Sequence, residues 1–175
     1  AHRFARMAKF LHSCECDVSA FPDAVKFYDD VITKVGHYTE KEKARFYDTL
    51  HSFPVCTTCL HGDMHIGNVI TTGKEDLWID LSEFSYGNPL FDVGMFYLVC
   101  FCNSEDFTMD YFHIGKEMMQ KIWNVFACDY FNVPESELDA VNRSLTPYAL
   151  MRMLYFISID SPVKSNYVYV RSWFD

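Results

Sequence analysis

The residues with the clearest chemical potential lie between positions 60 and 80, where an aspartate, an asparagine and a second aspartate follow one another at short intervals. The chain reads Leu-His-Gly-Asp-Met-His-Ile-Gly-Asn from 60 to 68 and Trp-Ile-Asp from 78 to 80. The Asp63 carboxylate can orient or deprotonate a hydroxyl nucleophile, and the Asn68 amide oxygen with the Asp80 carboxylate can hold Mg²⁺ against nucleotide phosphates. This order of residue types predicts phosphoryl transfer.

The segments around these three residues suggest how their side chains meet. Gly62 allows the backbone to turn and approach closely after a strand-like run at 59–61, and Gly67 brings Asn68 back toward Asp63. Strand-like runs at 68–71 and 76–79 form a predicted hairpin around a turn at 72–74, and Asp80 ends its second strand. We therefore expect a small β-hairpin insert that carries the catalytic loop.

Helices are predicted on both sides of this insert, which indicates an α+β, mostly helical fold. Apolar residues recur at helical spacing, Thr39 and Glu42 form a predicted capping box, and Gly36 and Pro54 end two of the segments. The predicted helices cover about 4–11, 23–35, 39–53, 90–102, 110–130, 134–142 and 147–159, with a last one from about Pro162.

Length and composition restrict the class of protein. The chain has 175 residues, a formal net charge of −9 and seven cysteines. The length predicts a single domain over residues 1–175, and the acidic balance argues against a nucleic-acid partner, which needs Lys and Arg to neutralise phosphates. No apolar run reaches the roughly 18 residues of a membrane span, and no segment has the pattern of a signal peptide. The odd number of cysteines favours reduced thiols in a cytoplasmic protein.

The combined motif resembles that of the aminoglycoside phosphotransferase and choline kinase-like family. These are small-molecule kinases with a protein-kinase-like fold. The helices before residue 55 and after residue 88 are similar to that family's larger, C-terminal lobe. The residues that carry the resemblance are His61-Gly62-Asp63-x-His65-x-Gly67-Asn68, then Ile79-Asp80, then Gly87-Asn88-Pro89-x-x-Asp92.

The resemblance implies a reaction and a set of site residues. The reaction is a Mg²⁺-dependent transfer of the ATP γ-phosphate to a hydroxyl of an aminoglycoside, choline or sugar-like acceptor, with GTP as an open alternative to ATP. Together with the motif itself, it implies Asp63 as the catalytic base, Asn68 and Asp80 as metal ligands, His61 and Asp92 as supports of the catalytic loop, and His65 as a secondary site residue.

The glycine pattern indicates that the other half of a kinase nucleotide site is absent from this chain. The seven glycines include no G-x-G-x-x-G arrangement, and no Walker A loop is complete. The resembled family places a β-rich nucleotide lobe before this region. We therefore expect a C-terminal catalytic lobe without its N-terminal lobe, with weak nucleotide binding and slow or no turnover alone. The exposed cleft surface would favour self-association.

Three alternatives fit parts of the sequence. A metal-dependent hydrolase could use His61, Asp63 and His65, which fall on one face of an extended segment. A zinc or redox site could form from Cys14-x-Cys16 and Cys56-x-x-Cys59. A non-catalytic remnant of a kinase lobe could serve as an interaction module.

Overall fold

The computed structural model describes residues 1–102, 104–159 and 170–173, and within them seven α-helices surround four short strands. The helices are α1 (His2–Leu11), α2 (Ala24–Lys34), α3 (Glu40–His51), α4 (Leu90–Tyr97), α5 (Glu105–Phe112), α6 (Lys116–Phe131) and α7 (Leu138–Ile159). The strands are β1 (Thr58–Leu60), β2 (Val69–Thr71), β3 (Asp76–Trp78) and β4 (Ser85–Gly87), and short 3₁₀ turns cover Ile66–Asn68 and Glu135–Glu137. The predicted mostly helical α+β fold with a small β insert is confirmed.

Side-chain caps fix where two of the early helices begin. The Asp23 carboxylate accepts a hydrogen bond from the backbone N–H of Val25 at 2.8 Å, which satisfies a free donor in the first turn of α2. Thr39 and Glu42 form a reciprocal capping box at the start of α3. The predicted capping box is therefore confirmed, and both helices begin close to the predicted positions.

The four strands form two separate antiparallel pairs rather than one sheet. Strands β2 and β3 make the predicted hairpin, with Ile70 opposite Leu77. Strand β1 pairs with β4. Strand β4 was not predicted, because its three residues, Ser85–Gly87, show no alternation of apolar and polar side chains. The loop from residue 61 to residue 65 therefore leads from the β1–β4 pair to the β2–β3 hairpin, and both pairs fix its position.

The hydrophobic core consists of two clusters that meet at α4. One cluster joins α2, α3 and α7, and the other joins α1, α4 and α6. Phe91 of α4 belongs to the first cluster and Phe96 to the second. Helix α4 also crosses α7 closely at Gly94, where a Cβ atom would lie 2.7 Å from the Cβ of Tyr148. A larger residue at Gly94 would force the two helices apart.

One predicted helix is interrupted in the structure. The segment predicted to be helical over 110–130 is two helices, because His113 adopts a left-handed conformation with φ +55° and ends α5. Gly115 then caps α6, and the Glu105 carboxylate accepts a hydrogen bond from Lys116 N at 2.6 Å. Helix α4 is likewise followed by a π-helical turn, Leu98–Cys102, within the predicted helix 90–102.

Helix α7 corrects the prediction of two separate helices at 134–142 and 147–159. It runs continuously from Leu138 to Ile159 through Pro147. A proline inside a helix removes one backbone hydrogen bond, but α7 is buried along most of its second half, and this burial outweighs the loss. Among the described residues, no helix is long and apolar enough to cross a bilayer. The helix predicted from about Pro162 lies outside the described residues apart from 170–173.

Candidate functional site

The loop that carries Asp63 begins with a sharp turn at Gly62. Strand β1 ends at Leu60, and Gly62 follows with φ +87°, a conformation that glycine adopts without steric cost. An ideal Cβ atom at Gly62 would overlap the backbone carbonyl of Glu83. Gly62 therefore permits close contact between this loop and the segment that follows Asp80.

The Asp92 carboxylate holds the start of the loop. It accepts hydrogen bonds from His61 N at 2.7 Å and from Gly62 N at 2.9 Å. A third contact joins Asp92 Oδ2 to His12 Nε2 at 3.0 Å, and the carboxylate is almost completely buried. One side chain in the first turn of α4 therefore connects α1, the loop after β1 and α4 itself.

His61 connects the Asp63 loop to the segment that ends in Asp80. Its Nε2 lies 3.0 Å from the carbonyl oxygen of Ile79, and its Nδ1 accepts a hydrogen bond from Asp63 N at 3.3 Å. The ring is fully buried and meets Trp78 edge-on at 4.9 Å between centroids. Both ring nitrogens are engaged, so His61 is arranged to hold the two segments together.

Asn68 contacts Asp63 directly. Its side-chain amide donates to the Asp63 backbone oxygen at 2.9 Å and to the Asp63 carboxylate at 3.2 Å. These bonds use the amide nitrogen, so the amide oxygen, the atom that a metal requires, is not used by them. The Asn68 backbone oxygen accepts from Ile79 N at 3.0 Å, which extends the hairpin pairing by one residue beyond Trp78.

Asp80 follows Ile79 and lies two residues beyond the end of β3. It has φ +55°, a left-handed conformation that aspartate tolerates better than most side chains. Its carboxylate is exposed to solvent and accepts a hydrogen bond from the Ser82 hydroxyl at 2.9 Å. Asn68 and Asp80 thus offer one amide and one carboxylate group at the same end of the hairpin, and hard cations such as Mg²⁺ prefer oxygen donors.

His65 braces the loop from the other side of Asp63. Its Nδ1 accepts from Gly67 N at 3.1 Å and its Nε2 lies 3.4 Å from Asp63 Oδ2. The ring packs edge-on against Phe112 of α5. With Nδ1 accepting, the proton lies on Nε2 and points to Asp63.

Arg152 is a site residue that the motif did not identify. It lies in the middle of α7, its side chain is 3% exposed, and its Nη2 is 2.8 Å from Asp63 Oδ1. Its Nη1 donates to the Gly62 carbonyl at 3.1 Å and to the Glu83 carboxylate. The signal available in the sequence was one arginine in an apolar helix, since a buried charge requires a partner.

The surroundings of Asp63 favour its ionised form. Burial raises the pKa of the Asp63 carboxyl, but the hydrogen bond from His65 and the positive charge of Arg152 oppose this effect and, with Asn68, lower the pKa below its usual value. Asp63 is therefore a carboxylate at neutral pH, held from three sides and still partly accessible.

The histidine-based metal site receives no support from this geometry. His61 and His65 each use one ring nitrogen to accept a backbone N–H, and the other nitrogen faces an oxygen acceptor. Neither ring therefore has a free lone pair for a metal. Within residues 1–102, 104–159 and 170–173, no three His, Cys, Asp or Glu side chains form a group that could hold a metal ion.

The two predicted cysteine pairs contact each other, and the environment of the Cys16 thiol disfavours its reactivity. Cys59 N donates to the Cys14 carbonyl at 2.9 Å, so the two predicted pairs do lie close together. Burial and a hydrogen bond with Cys59 raise the pKa of the Cys16 thiol to about 11. A thiol with that pKa is protonated at neutral pH and is a poor nucleophile, which argues against a redox role for Cys16.

Comparison with known proteins identifies the family. The family model for the phosphotransferase enzyme family, APH, matches residues 2–121. A solved structure described as amicoumacin kinase hAmiN in complex with AMP-PNP, Ca²⁺ and Ami has a similar fold, with a TM-score of 0.51 at 12% sequence identity. The similarity covers 97% of this chain and 54% of that protein, so the chain spans about half of its length. A search of curated proteins found no match. Because the family model covers more than half of it, the chain belongs to the phosphotransferase enzyme family.

Proposed function

We propose that this chain forms the acceptor- and metal-binding half of a kinase that transfers the γ-phosphate of ATP to a hydroxyl group of a small molecule. The observation that carries the proposal is the contact between Asp63 and Asn68 on one loop. Two hydrogen bonds of Ile79, one with the His61 ring and one with the Asn68 backbone oxygen, connect this loop to the segment that bears Asp80. The amicoumacin kinase with a similar fold was solved with AMP-PNP, Ca²⁺ and Ami, which agrees with a nucleotide and a divalent cation as ligands.

The proposed reaction assigns a separate task to each carboxylate. The acceptor hydroxyl donates a hydrogen bond to Asp63, its oxygen attacks the γ-phosphorus, and the bond from that phosphorus to the bridging oxygen of ADP breaks. The hydroxyl proton passes to Asp63 and then to solvent. Asn68 Oδ1 and the Asp80 carboxylate would hold Mg²⁺, which supplies positive charge against the phosphates.

The share of the similar kinase that this chain spans limits the rate of phosphate transfer we expect from it. The chain spans 54% of the similar kinase, and its glycines do not supply a phosphate-covering loop. We therefore propose that the chain alone binds Mg²⁺·ATP weakly and transfers phosphate slowly or not at all, while a longer protein containing it would be an active kinase. The acceptor class remains a small molecule with a hydroxyl group, such as an aminoglycoside, choline or a sugar.

Calorimetric titration with Mg²⁺·ATP tests the metal half of the proposal. We expect binding by the chain that requires Mg²⁺ and is lost in Asp80→Ala. Asp110→Ala is the matched control, because Asp110 is an exposed aspartate on α5. Equal binding by all three proteins would contradict the proposal. No binding by a folded chain would contradict it for the isolated chain, and would leave either a lobe that binds nucleotide only within a longer protein or a non-catalytic interaction module.

Asp63→Ala tests the role of Asp63 as the base. The variant is made in a longer protein that contains this chain and transfers phosphate at a measurable rate. We expect kcat to fall by at least about a hundredfold, the low end for a positioned acid–base group, with little change in nucleotide affinity. Asp80→Ala should instead lose nucleotide affinity. Small and equal effects of both substitutions would show that the assigned roles are wrong.

A further inference from the structure

A cavity of about 180 Å³ lies beside the turn at Gly62, where α2, α4 and α7 approach the segment after Asp80. Most of its wall is apolar, and one of its lining residues, Phe27, is more than one third exposed, so the cavity opens to solvent at α2. The aromatic side chains that line it are those of Phe27, Tyr28, Phe84 and Phe91.

Contacts between aromatic rings hold these walls in place. Tyr28 stacks on Phe91 at 5.0 Å between ring centroids, and Phe27 meets Tyr28 edge-on at 5.0 Å. Phe84 packs edge-on against Phe21 at 4.8 Å. Such ring pairs stabilise a structure beyond the area they bury. An apolar cavity of about 150 Å³ holds a benzene molecule, so this one has room for a six-membered ring with a short substituent.

Two charged side chains supply the polar part of the wall. Arg152 is 3% exposed, and its two terminal nitrogens donate to protein oxygens, whereas its Nε has no hydrogen-bond partner among the residues that the structure describes. Glu83 is 28% exposed and accepts one bond from Arg152 and one from Tyr155, which leaves about two of its four acceptor sites. A buried donor without a partner is costly, and a ligand oxygen would satisfy it.

We infer that this cavity is a binding site for a neutral, ring-sized apolar group that carries a hydroxyl. A hydroxyl can donate to Glu83 and accept from Arg152 Nε at the same time. A carboxylate has no proton to donate and is repelled by Glu83, while an ammonium has no lone pair to offer and is repelled by Arg152. The inference goes beyond the proposed function and does not depend on it, because the lining does not include Asp63, Asn68 or Asp80.

The test is a two-dimensional NMR titration of this chain with benzyl alcohol. We expect saturable shifts of the methyl groups of Ala24 and Leu60 and of the Gly62 amide, which all belong to lining residues, with a Kd of about 10 mM or tighter. Glucose, a polar ring of similar size, should give no saturable shifts there. No saturable shift with benzyl alcohol, or equal binding of glucose, would overturn the inference.

Charged probes test the polar part of the site. Benzoate and benzylammonium carry the same ring, and each should bind at least about tenfold more weakly than benzyl alcohol, because one hydrogen bond to a charged group is lost. Glu83→Gln should narrow the difference between benzyl alcohol and benzoate, because it removes the repelling charge. Glu137→Gln, at an exposed glutamate outside the lining, is the matched control and should leave the difference unchanged. A charged probe that binds as tightly as the alcohol, or an unchanged difference in Glu83→Gln, would overturn the assignment of a hydroxyl.

The aromatic wall has its own variant. Phe27→Ala removes one ring from the mouth of the cavity, so the Kd for benzyl alcohol should rise about three- to tenfold, the scale of one aromatic contact. Phe10→Ala is the control, because Phe10 is an exposed phenylalanine on α1 outside the lining. Equal affinities of Phe27→Ala and the unchanged chain would show that the ring binds elsewhere. If Phe27→Ala does not fold, the order of the four probes on the unchanged chain decides the inference.

Discussion

At the scale of single residues, Gly62 determines how closely the Asp63 loop approaches the segment after Asp80. It has φ +87°, and a Cβ atom there would overlap the carbonyl group of Glu83. Gly73, in the turn of the hairpin, has a similar φ of +84° but nothing within 4 Å of the same atom. The two glycines share a backbone conformation and differ only in the space around them.

This pair gives a prediction with its own control. Gly73→Ala should cost only the strain of a left-handed alanine, about 1–2 kcal/mol of unfolding free energy. Gly62→Ala should cost clearly more, because backbone atoms must also move apart, and it should weaken any phosphate transfer through the displaced Asp63. Urea unfolding of both variants measures the difference. Equal destabilisation would show that the contact with Glu83 does not constrain the loop.

The sequence predicted part of this site for a simple reason. Asp63 and Asn68 are five residues apart on one loop, so their contact follows from local spacing and two glycines. The role of each residue stays a prediction. Arg152 lies 89 residues from Asp63, and no local pattern indicates which surface of α7 meets the loop. The sequence showed only that one charged residue, Arg152, lies in an otherwise apolar predicted helix.

At the scale of the elements, Asp92 joins parts of the chain that are far apart in sequence. Its carboxylate accepts from two backbone N–H groups of the loop and contacts His12 at the C-terminal end of α1. His12 is in turn held by the Tyr130 hydroxyl of α6 at 2.7 Å. The buried Asp92 carboxylate thereby fixes the position of the loop relative to α1, α4 and α6.

We expect Asp92→Ala to destabilise the fold more than an ordinary substitution does. It would leave the backbone N–H groups of His61 and Gly62 and the Nε2 atom of His12 without their partner, and each unsatisfied buried group costs about 1–3 kcal/mol. The unfolding free energy should therefore fall by at least about 2 kcal/mol in urea titration. Asp92→Asn retains one oxygen acceptor, so the unfolding free energy of this variant should fall less. A loss under about 1 kcal/mol for alanine would contradict this account.

The errors in the predicted helices have physical causes that local sequence patterns do not show. The break between α5 and α6 depends on a left-handed His113, a conformation that histidine adopts only occasionally, so the apolar pattern continued through it. Pro147 was expected to separate two helices, but the burial of α7 maintains the helix across it. Local propensity was correct for the capped helices and failed where tertiary packing dominates.

At the scale of the whole molecule, the outer face of the hairpin leaves apolar side chains in solvent. Ile70 and Leu77 lie opposite each other on adjacent strands, and Ile79 follows on the same strand side. These residues and Leu81 are each more than one third exposed, next to Asn68 and Asp80. Contiguous exposed apolar surface beside the candidate site favours contact with another apolar surface.

We therefore predict that the isolated chain self-associates through this face. Sedimentation velocity should show the average mass rising with protein concentration. The double variant Ile70→Glu with Leu77→Lys should reduce the association, because it places charges on the face while pairing them across the strands. Val55→Lys, at another highly exposed apolar position, is the control and should not reduce it. A monomer at all concentrations would contradict the prediction.

The hydrogen bonds around His61 also determine how the loop can open. The amide hydrogens of His61 and Gly62 are held by Asp92, that of Asp63 by the His61 ring, and that of Ile79 by Asn68. Releasing one of them disturbs the others, so these amides should exchange with solvent together, as a cooperative unit of local unfolding. The conformational entropy of ordering the loop is then lost during folding and not again at each encounter with a ligand.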